Sequence, residues 1–376
     1  MYIPAWPSLN PALLVRPRVD GNRPFPLETP GSSYFYVARN AIYHLMRALR
    51  LGPGDVVLAP DYHHGNEILA MKATGIEIRY YPVQKNLDAD VDALARLCEV
   101  EPRPRALYVT HFIGWPQPLD VIQSLCRDKR LLLIEDCALS FMSDYDRKPL
   151  GTFGDYSVFC LYKSLPLPNG GVLVRNSGHD EGVELQPCSA LSVVSRSTEL
   201  TLHWLRTRSD ACGRALLALK RTAGMALNLG NVRRNPVGNT GFDIQGVNVR
   251  MSSLCHRLLC RFQYEQIKEA RRRNFQILAD RLRERVTVID RKLSDGVCPL
   301  FFPLLVKNKH YAADLLLRRG IETIEFWNAG DTEAYQSESA AAFLRRHLLE
   351  IPIHQDVTPE AAGFISEEIV KLGQSL

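Results

Sequence analysis

Several signatures are absent from this 376-residue sequence. No apolar run approaches the ~18 residues that predict a membrane-spanning helix, so we expect no membrane partner. The nine cysteines are odd in number and include no Cys-x-x-Cys pair, so we expect neither a disulfide framework nor a metal site. No Gly-x-Gly-x-x-Gly follows the first predicted strand, which disfavours a nicotinamide oxidoreductase. Residues 1–22 lack the apolar stretch of a secretory signal, and we expect a cytoplasmic protein.

The charge of the chain is mild and evenly spread. The formal net charge is +5, and 23% of the residues are charged. A nucleic-acid-binding protein usually concentrates basic residues on one element. The dense segment Arg271–Arg273 is better explained as a solvated helix face. We therefore expect no nucleic-acid partner, and the positive balance suits anionic small molecules.

Short apolar runs alternate with segments of helical spacing through the first half of the chain. Strands that are apolar along their whole length are typical of a mostly parallel sheet covered on both faces. The sequence therefore predicts an α/β fold with a large mixed or parallel sheet. The predicted strands are 56–59, 76–81, 106–110, 131–134, 156–160 and 171–174. The predicted helices are 34–50, which precedes the first strand, and 67–74, 88–97 and 119–127, which lie between strands.

The rest of the chain has a different pattern. Residues 178–245 show no alternation of strands and helices, and we interpret them as a lid or a dimer-contact segment. A long helix is predicted over 253–285, followed by a small α+β unit that ends in a helix, Pro359 to Leu372. The predicted domains are thus a large one over 1–250, and the long helix with a small C-terminal α+β domain over 251–376.

Polar residues follow several predicted strands, where ligands bind in open α/β sheets. Glu135 and Asp136 end one such strand. A buried carboxylate is costly unless a cation pairs with it, and an isolated aspartate there is more often a cap or part of a hidden salt bridge. Lys163 follows another apolar strand and precedes Asn169-Gly170-Gly171. A lysine at a strand end is usually solvated, but one held in a pocket can act as a carbonyl nucleophile.

The order of these motifs resembles a known family. The matching stretches are Glu135-Asp136-Cys137-Ala138, Gly151-Thr152-Phe153-Gly154-Asp155, Lys163, Gly170-Gly171, Gly246 to Met251 and Leu348 to His354. Together they resemble the DegT/DnrJ/EryC1/StrS aminotransferases. The resemblance implies the aspartate aminotransferase-like fold type I of pyridoxal-phosphate (PLP) transferases, with residues 1–250 as the PLP-binding domain.

The resemblance also implies roles for individual residues. Lys163 would be the Schiff-base lysine, and Asp136 would pair with the pyridine nitrogen. His64 would stack on the cofactor, although a satisfied loop histidine is almost as good an interpretation. Backbone N–H groups of Ala38, Arg39 and Asn40 would cradle the phosphate at a helix start, and Arg39 either adds a charge contact or is simply exposed. Asn248 would reach the phosphate of a neighbouring subunit, which implies a homodimer with active sites at the interface, or it is a helix cap.

Three positions depart from the family pattern. Leu139 stands where the family often has Gln or His, which removes a polar group from the expected pocket. Cys160 precedes Lys163 in place of a phosphate-binding serine, and because a thiol is a poor donor, Ser157 is the expected substitute. The phosphate turn reads Ala38-Arg39-Asn40, which is typical of a divergent branch. We expect Arg250 and His63 to contact substrate.

These observations predict a PLP-dependent aminotransferase. It would move an amino group from an amino acid, with glutamate expected, to a keto-sugar nucleotide or a related biosynthetic carbonyl compound. One alternative is a PLP enzyme that carries out elimination, decarboxylation or C–C or C–N bond formation on a non-sugar substrate. Another is a non-catalytic protein with the same fold that serves as a binding partner.

Overall fold

The structure is a computed structural model that describes residues 1–176, 182–229, 237–238, 241–328, 330 and 338–373. No helix within these ranges is long and apolar enough to cross a membrane. The strands are β1 (Ser32–Phe35), β2 (Val56–Pro60), β3 (Glu77–Tyr81), β4 (Pro104–Thr110), β5 (Leu132–Asp136), β6 (Asp144–Tyr145), β7 (Lys148–Pro149), β8 (Tyr156–Cys160), β9 (Gly171–Arg175), β10 (Phe301–Leu305) and β11 (Leu348–Pro352).

Helices cover both faces of the main sheet and flank the smaller one. They are α1 (Ala38–Ala48), α2 (Asn66–Lys72), α3 (Val91–Leu97), α4 (Leu119–Lys129), α5 (Leu161–Ser164), α6 (Ala190–Arg208), α7 (Asp210–Leu229), α8 (Ser253–Leu259), α9 (Tyr264–Leu282), α10 (Lys309–Arg318), α11 (Ala340–His347) and α12 (Pro359–Leu372).

The main sheet has seven strands in the order β1-β9-β8-β5-β4-β2-β3. Strands β3, β2, β4, β5 and β8 are parallel, whereas β9 runs antiparallel to both β8 and β1. The inner strands are buried on both faces, as their apolar sequences require. The predicted α/β fold with a large mixed sheet is therefore confirmed, and the carboxyl ends of the parallel strands meet at one edge.

The helix predicted over 34–50 is wrong at its start. Residues Ser32–Phe35 pair with β9 as the edge strand β1, and the helix begins at Ala38. Val37 has the extended angles φ −140° and ψ 156°, so it separates the strand from the helix. The apolar residues Tyr34 and Phe35 of β1 continue the spacing of the apolar residues of α1, so the spacing does not reveal the boundary between the two elements.

The single helix predicted over 253–285 is also wrong, because it is broken into α8 and α9. The Tyr264 hydroxyl donates a 2.7 Å hydrogen bond to the carbonyl oxygen of Leu259 and closes the end of α8. Phe262 and Tyr264 are both buried at this break. The chain changes direction here so that these two aromatic rings enter the core.

The segment 178–245 contains two long helices, α6 and α7, that pack against each other. Residues 178–181, 230–236 and 239–240 of this segment lie outside the described residues. The side chain of Ser189 caps α6 by accepting a hydrogen bond from the backbone N–H of Ser192. The backbone N–H of Leu9 donates to the carbonyl oxygen of Leu200, which joins α6 to the N-terminal segment.

The smaller antiparallel sheet, β10 with β11, belongs to the C-terminal part of the chain. The N-terminal segment packs on this part. Ile3 forms a parallel bridge with Ile321, and the His354 ring lies 2.8 Å from the carbonyl oxygen of Pro4. The division into domains at 1–250 and 251–376 stays a prediction.

A cavity at the carboxyl edge of the sheet

A cavity of about 500 Å³ opens where β2, β5 and β8 end. It brings together six of the residues that the sequence singled out, although they span 126 positions of the chain. These residues are Ala38, Arg39, His64, Asp136, Cys160 and Lys163. The position agrees with the general rule that ligands bind outside the carboxyl ends of parallel strands.

Asp136 is the last residue of β5, and its carboxylate faces the cavity. One oxygen accepts a 2.9 Å hydrogen bond from the backbone N–H of Ala138. Thr110 Oγ1 lies 3.4 Å from the other oxygen. Burial raises the pKa of Asp136, and the negative charge of Glu67 raises it further. A cationic partner in the cavity would relieve both effects, because it favours the ionised carboxylate.

Lys163 lies on the short helix α5, which begins directly after β8. The backbone N–H of Leu161 donates to the carbonyl oxygen of Gly170 at 2.9 Å, so the Gly-Gly turn holds the start of this helix. The Lys163 ammonium lies 5.6 Å from the centroid of the Phe326 ring. The amine is thus held at the cavity between the main sheet and the C-terminal part of the chain.

The first turn of α1 forms one end of the cavity. Its N-cap residue, Val37, has no side chain that can accept a hydrogen bond. A Cβ atom on Gly171 would lie 2.4 Å from the carbonyl carbon of Val37, so only glycine lets β9 approach this helix start. Arg39 Nη1 donates a 2.9 Å hydrogen bond to the carbonyl oxygen of Gly238. An uncapped helix start beside a guanidinium is suited to binding an anion.

His64 and Glu67 also line the cavity, before and within α2. Burial lowers the pKa of His64 to about 3, and the charges of Lys163 and Arg39 lower it further, so the ring is neutral. Glu67 Oε1 accepts a 2.8 Å hydrogen bond from the backbone N–H of His64. Sequence reasoning missed Glu67, although a carboxylate three residues after a loop position is a recognisable helix-start pattern.

Other predicted residues do not line the cavity. The Asn40 side chain is turned away and donates to the carbonyl oxygen of Gly246 at 2.9 Å. His63 is buried outside the cavity and stacks on Tyr80, with ring centroids 5.4 Å apart. Asn248 and Arg250 are exposed and are held by backbone hydrogen bonds to Gln186.

Ser157 is buried within β8 and also lies outside the cavity. Side chains alternate across a strand, so Ser157 faces the opposite side of the sheet from Cys160. The register agrees, since Ser157 pairs with Val174 and Cys160 with Gly171. Ser157 therefore does not take the place that Cys160 holds beside Lys163.

The remaining walls come from distant parts of the chain that carry no motif. Trp6 comes from the N-terminal segment and Arg196 from α6. Glu325, Phe326 and Trp327 come from the loop between α10 and α11. Nothing in the local sequence indicates that these residues meet, because their position depends on how the C-terminal part packs against the sheet.

The neighbouring cluster of His111, Glu135 and Cys137 has groups that can ligate a metal. The contacts of Glu135 give it a different role. One oxygen accepts from the backbone N–H groups of Phe153 and Gly154, and the other accepts from Gly151 and lies 2.9 Å from the His111 ring. Both oxygens are thus used to hold the loop before β8.

Comparison with known proteins agrees with this geometry. Residues 37–203 match the model of the DegT/DnrJ/EryC1/StrS aminotransferase family. The chain is 30% identical over 142 residues to GDP-perosamine synthase of Escherichia coli O157:H7, which covers 36% of this chain and 38% of that protein. It is 31% identical over 135 residues to dTDP-4-dehydro-2,3,6-trideoxy-D-glucose 4-aminotransferase of Saccharopolyspora spinosa, which covers 35% and 34%. These matches span little more than a third of either relative.

Solved structures match over a much longer range. The putative sugar aminotransferase Spr1654 of Streptococcus pneumoniae, in its PLP form, has a TM-score of 0.71 at 14% identity and covers 100% of this chain and 99% of its own. Helicobacter pylori PseC, described as an aminotransferase of pseudaminic acid biosynthesis, has a TM-score of 0.68 at 16% identity and covers both chains completely. The fold is that of the type I PLP-dependent transferases.

Proposed function

We propose that this protein is a PLP-dependent aminotransferase. The observation that carries the proposal is that Lys163 and Asp136 face one cavity from the ends of two adjacent strands. The donor is an amino acid, with glutamate expected, and the acceptor is a keto-sugar nucleotide or a related carbonyl compound. The names of the curated relatives support this class of acceptor.

The residues of the cavity fit the cofactor. The uncapped start of α1, with Arg39 beside it, suits the phosphate, and the close approach at Gly171 keeps this cradle open. The Asp136 carboxylate would hold a proton on the pyridine nitrogen, and the neutral ring of His64 would lie against the cofactor. PLP supplies an electron sink for the bond-breaking steps.

Lys163 has two roles in this proposal. Its amine would attach the cofactor, and once displaced by the amino donor it would carry a proton to and from the substrate carbon. The apolar surroundings of Leu139 and Phe326 would exclude water from the reacting atoms.

The absorbance spectrum tests the proposal directly. Purified protein incubated with PLP should show a band near ~420 nm, and glutamate should convert it to a band near ~330 nm, since the cofactor carries this chemistry. Lys163→Ala should lose both the band and the conversion. Lys148→Ala, which alters an exposed lysine in β7, is the matched control and should keep both.

One feature favours the second enzyme function. Leu139 gives the cavity an apolar wall where the family often has a polar side chain, and this would suit a non-sugar substrate. In that case a different amino acid, and not glutamate, would change the spectrum without forming the ~330 nm band. A protein that forms no band with PLP would instead support the binding-protein function.

We also propose that the protein is a cytoplasmic homodimer. Asn248 is exposed, as a residue that reaches a second subunit must be, and Arg250 lies beside it. All nine cysteines are free thiols, which suits a reducing compartment. Analytical ultracentrifugation tests the dimer, and a monomer at all concentrations would contradict it.

A further inference from the structure

Arg196 reaches the cavity because α6 is fixed on three sides. The hydroxyl of Tyr2 lies 2.8 Å from His203 Nδ1, and the backbone of Leu200 accepts a hydrogen bond from Leu9. Arg206 pairs with Glu322 at 3.3 Å, which joins the helix to the C-terminal part of the chain. These contacts fix the position of α6, and the helix in turn holds the Arg196 side chain at the cavity.

The charges around Arg196 do not balance. Its Nη1 atom donates a 2.8 Å hydrogen bond to Glu199 Oε1, while Lys220 Nζ lies 2.8 Å from Glu199 Oε2. One carboxylate thus serves two cations, which leaves an excess of one positive charge on this wall. The Arg196 Nε atom is buried and has no hydrogen-bond partner among the described residues. About a third of the side chain stays accessible, at 32%, and it lines the cavity.

Arg196 and Arg39 both line the cavity, but they come from different helices, α6 and α1. Tyr162 also lines the cavity; burial raises the pKa of its hydroxyl, and the charges of Arg39 and Arg196 both oppose this rise. Arg39 already donates to the carbonyl oxygen of Gly238 near the start of α1. The cavity therefore has a second arginine besides the one at the start of α1.

We propose that Arg196 binds an anionic group of the substrate, a carboxylate or a phosphate. A guanidinium presents parallel N–H donors that match the oxygens of either group, and the shared Glu199 holds it in place without neutralising it. This assigns α6, from the segment 178–245, to substrate recognition. It also replaces Arg250, which lies outside the cavity. The identity of the substrate rests on the proposed function, whereas the presence of the anion site does not.

The anion has two natural sources, the carboxylate of the amino donor or the diphosphate of a nucleotide-linked acceptor. Trp6 and Trp327 line the cavity, so their fluorescence reports binding there. Glutarate and UDP serve as probes for the two sources, titrated into protein without amino donor. Arg196→Gln should weaken binding of one probe by about 10- to 100-fold, the usual range for a lost charge-assisted contact, and Arg196→Lys should weaken it less.

Arg208→Gln is the matched control, because Arg208 is an exposed arginine at the end of α6 that does not line the cavity. It should change probe binding by less than about threefold, as expected for a solvent-exposed charge outside the site. Weaker glutarate binding in Arg196→Gln assigns the donor carboxylate, and weaker UDP binding assigns the diphosphate. The inference would be overturned if Arg196→Gln bound each probe as tightly as the wild type does. It would also be overturned if the wild type bound neither probe.

The proposed function is tested separately from the anion site, by the absorbance spectrum. A wild-type protein with no ~420 nm band in the presence of PLP rejects the aminotransferase, whatever the fluorescence titration shows. Where the band forms, the glutamate concentration for half-conversion gives a second measurement. If the site holds the donor carboxylate, Arg196→Gln should raise this concentration while the band before glutamate stays unchanged.

Discussion

The carboxylates of Glu67 and Asp136 face the same cavity, and the charge of Glu67 raises the pKa of Asp136. Two carboxylates close together in a buried site repel each other, and one of them is driven towards its protonated form. Lys163 opposes this repulsion, since its charge lowers the pKa of both acids. In the protein without cofactor the two carboxylates therefore repel each other, and a bound cation would reduce this repulsion.

A double-mutant cycle should measure this repulsion. Glu67→Gln keeps an oxygen that can accept the hydrogen bond from His64 but removes the charge. At neutral pH, Glu67→Gln should change the free energy of unfolding more favourably in the wild-type background than in the Asp136→Asn background. The difference between the two changes is the coupling energy, and it should be about 1 kcal/mol, as is common for interacting neighbours. Urea unfolding of the four cofactor-free proteins gives the value. An identical effect in both backgrounds would show that the carboxylates do not interact.

Asp61 should make stability depend on pH. Burial raises its pKa from 3.8 to about 6 in the folded protein, so its contribution is present below the unfolded pKa and is lost as pH rises through about 6. Asp61→Asn keeps an acceptor for the backbone N–H of Val83. The free energy of unfolding of this variant relative to wild type should therefore rise by on the order of 3 kcal/mol between about pH 4 and about pH 7. Parallel pH curves for the two proteins would contradict this.

Gly171→Ala should damage both the fold and the proposed cofactor site. The new Cβ atom would meet the Val37 carbonyl carbon at 2.4 Å and the Ala38 backbone nitrogen at 2.5 Å, so the start of α1 must shift. We expect a loss of about 2 kcal/mol or more in urea unfolding and weaker PLP binding. Gly52→Ala is the control, because its nearest atom would be the Thr74 carbonyl oxygen at an ordinary 3.6 Å. Equal losses in both variants would mean that the shift at α1 is not the cause.

Cys160→Ser should strengthen cofactor binding. Cys160 lines the cavity and burial raises its pKa, so it is a thiol and a weak donor, whereas serine offers a hydroxyl of similar size. A new hydrogen bond to the phosphate should improve the dissociation constant of PLP about threefold to tenfold, measured by titrating cofactor-free protein. Ser157→Ala should leave PLP binding unchanged, because its side chain lies outside the cavity. The reverse result would restore Ser157 as the phosphate contact.

Most of the main sheet was predictable from the sequence, because its inner strands are apolar along their whole length. The strand predicted over 156–160 and the helix predicted over Pro359–Leu372 have the bounds that the structure shows. The edge strand β1 was missed because its apolar residues continue the spacing of α1. The break after α8 was missed because it depends on the burial of Phe262 and Tyr264 and not on a glycine or proline.

The site was predictable where a motif marks the end of a strand or the start of a helix. Asp136, Cys160 and Lys163 meet because adjacent parallel strands bring their ends together. Arg196 and Trp6 have no local pattern, since their place depends on the docking of α6 and the N-terminal segment. Ser157 could have been excluded from the sequence alone, because residues three apart in a strand point to opposite faces.

The pairing of the N-terminal segment with the C-terminal part of the chain also bears on synthesis. Ser8 donates two hydrogen bonds, of 2.7 Å and 2.9 Å, to the carboxylate of Asp356, which lies 348 positions later. A ribosome needs on the order of tens of seconds to add so many residues. During that time the partners of Ile3, Pro4 and Ser8 do not yet exist, and the side of the cavity that Trp6 covers stays open. We therefore expect the nascent chain to depend on chaperones until its last helix has emerged.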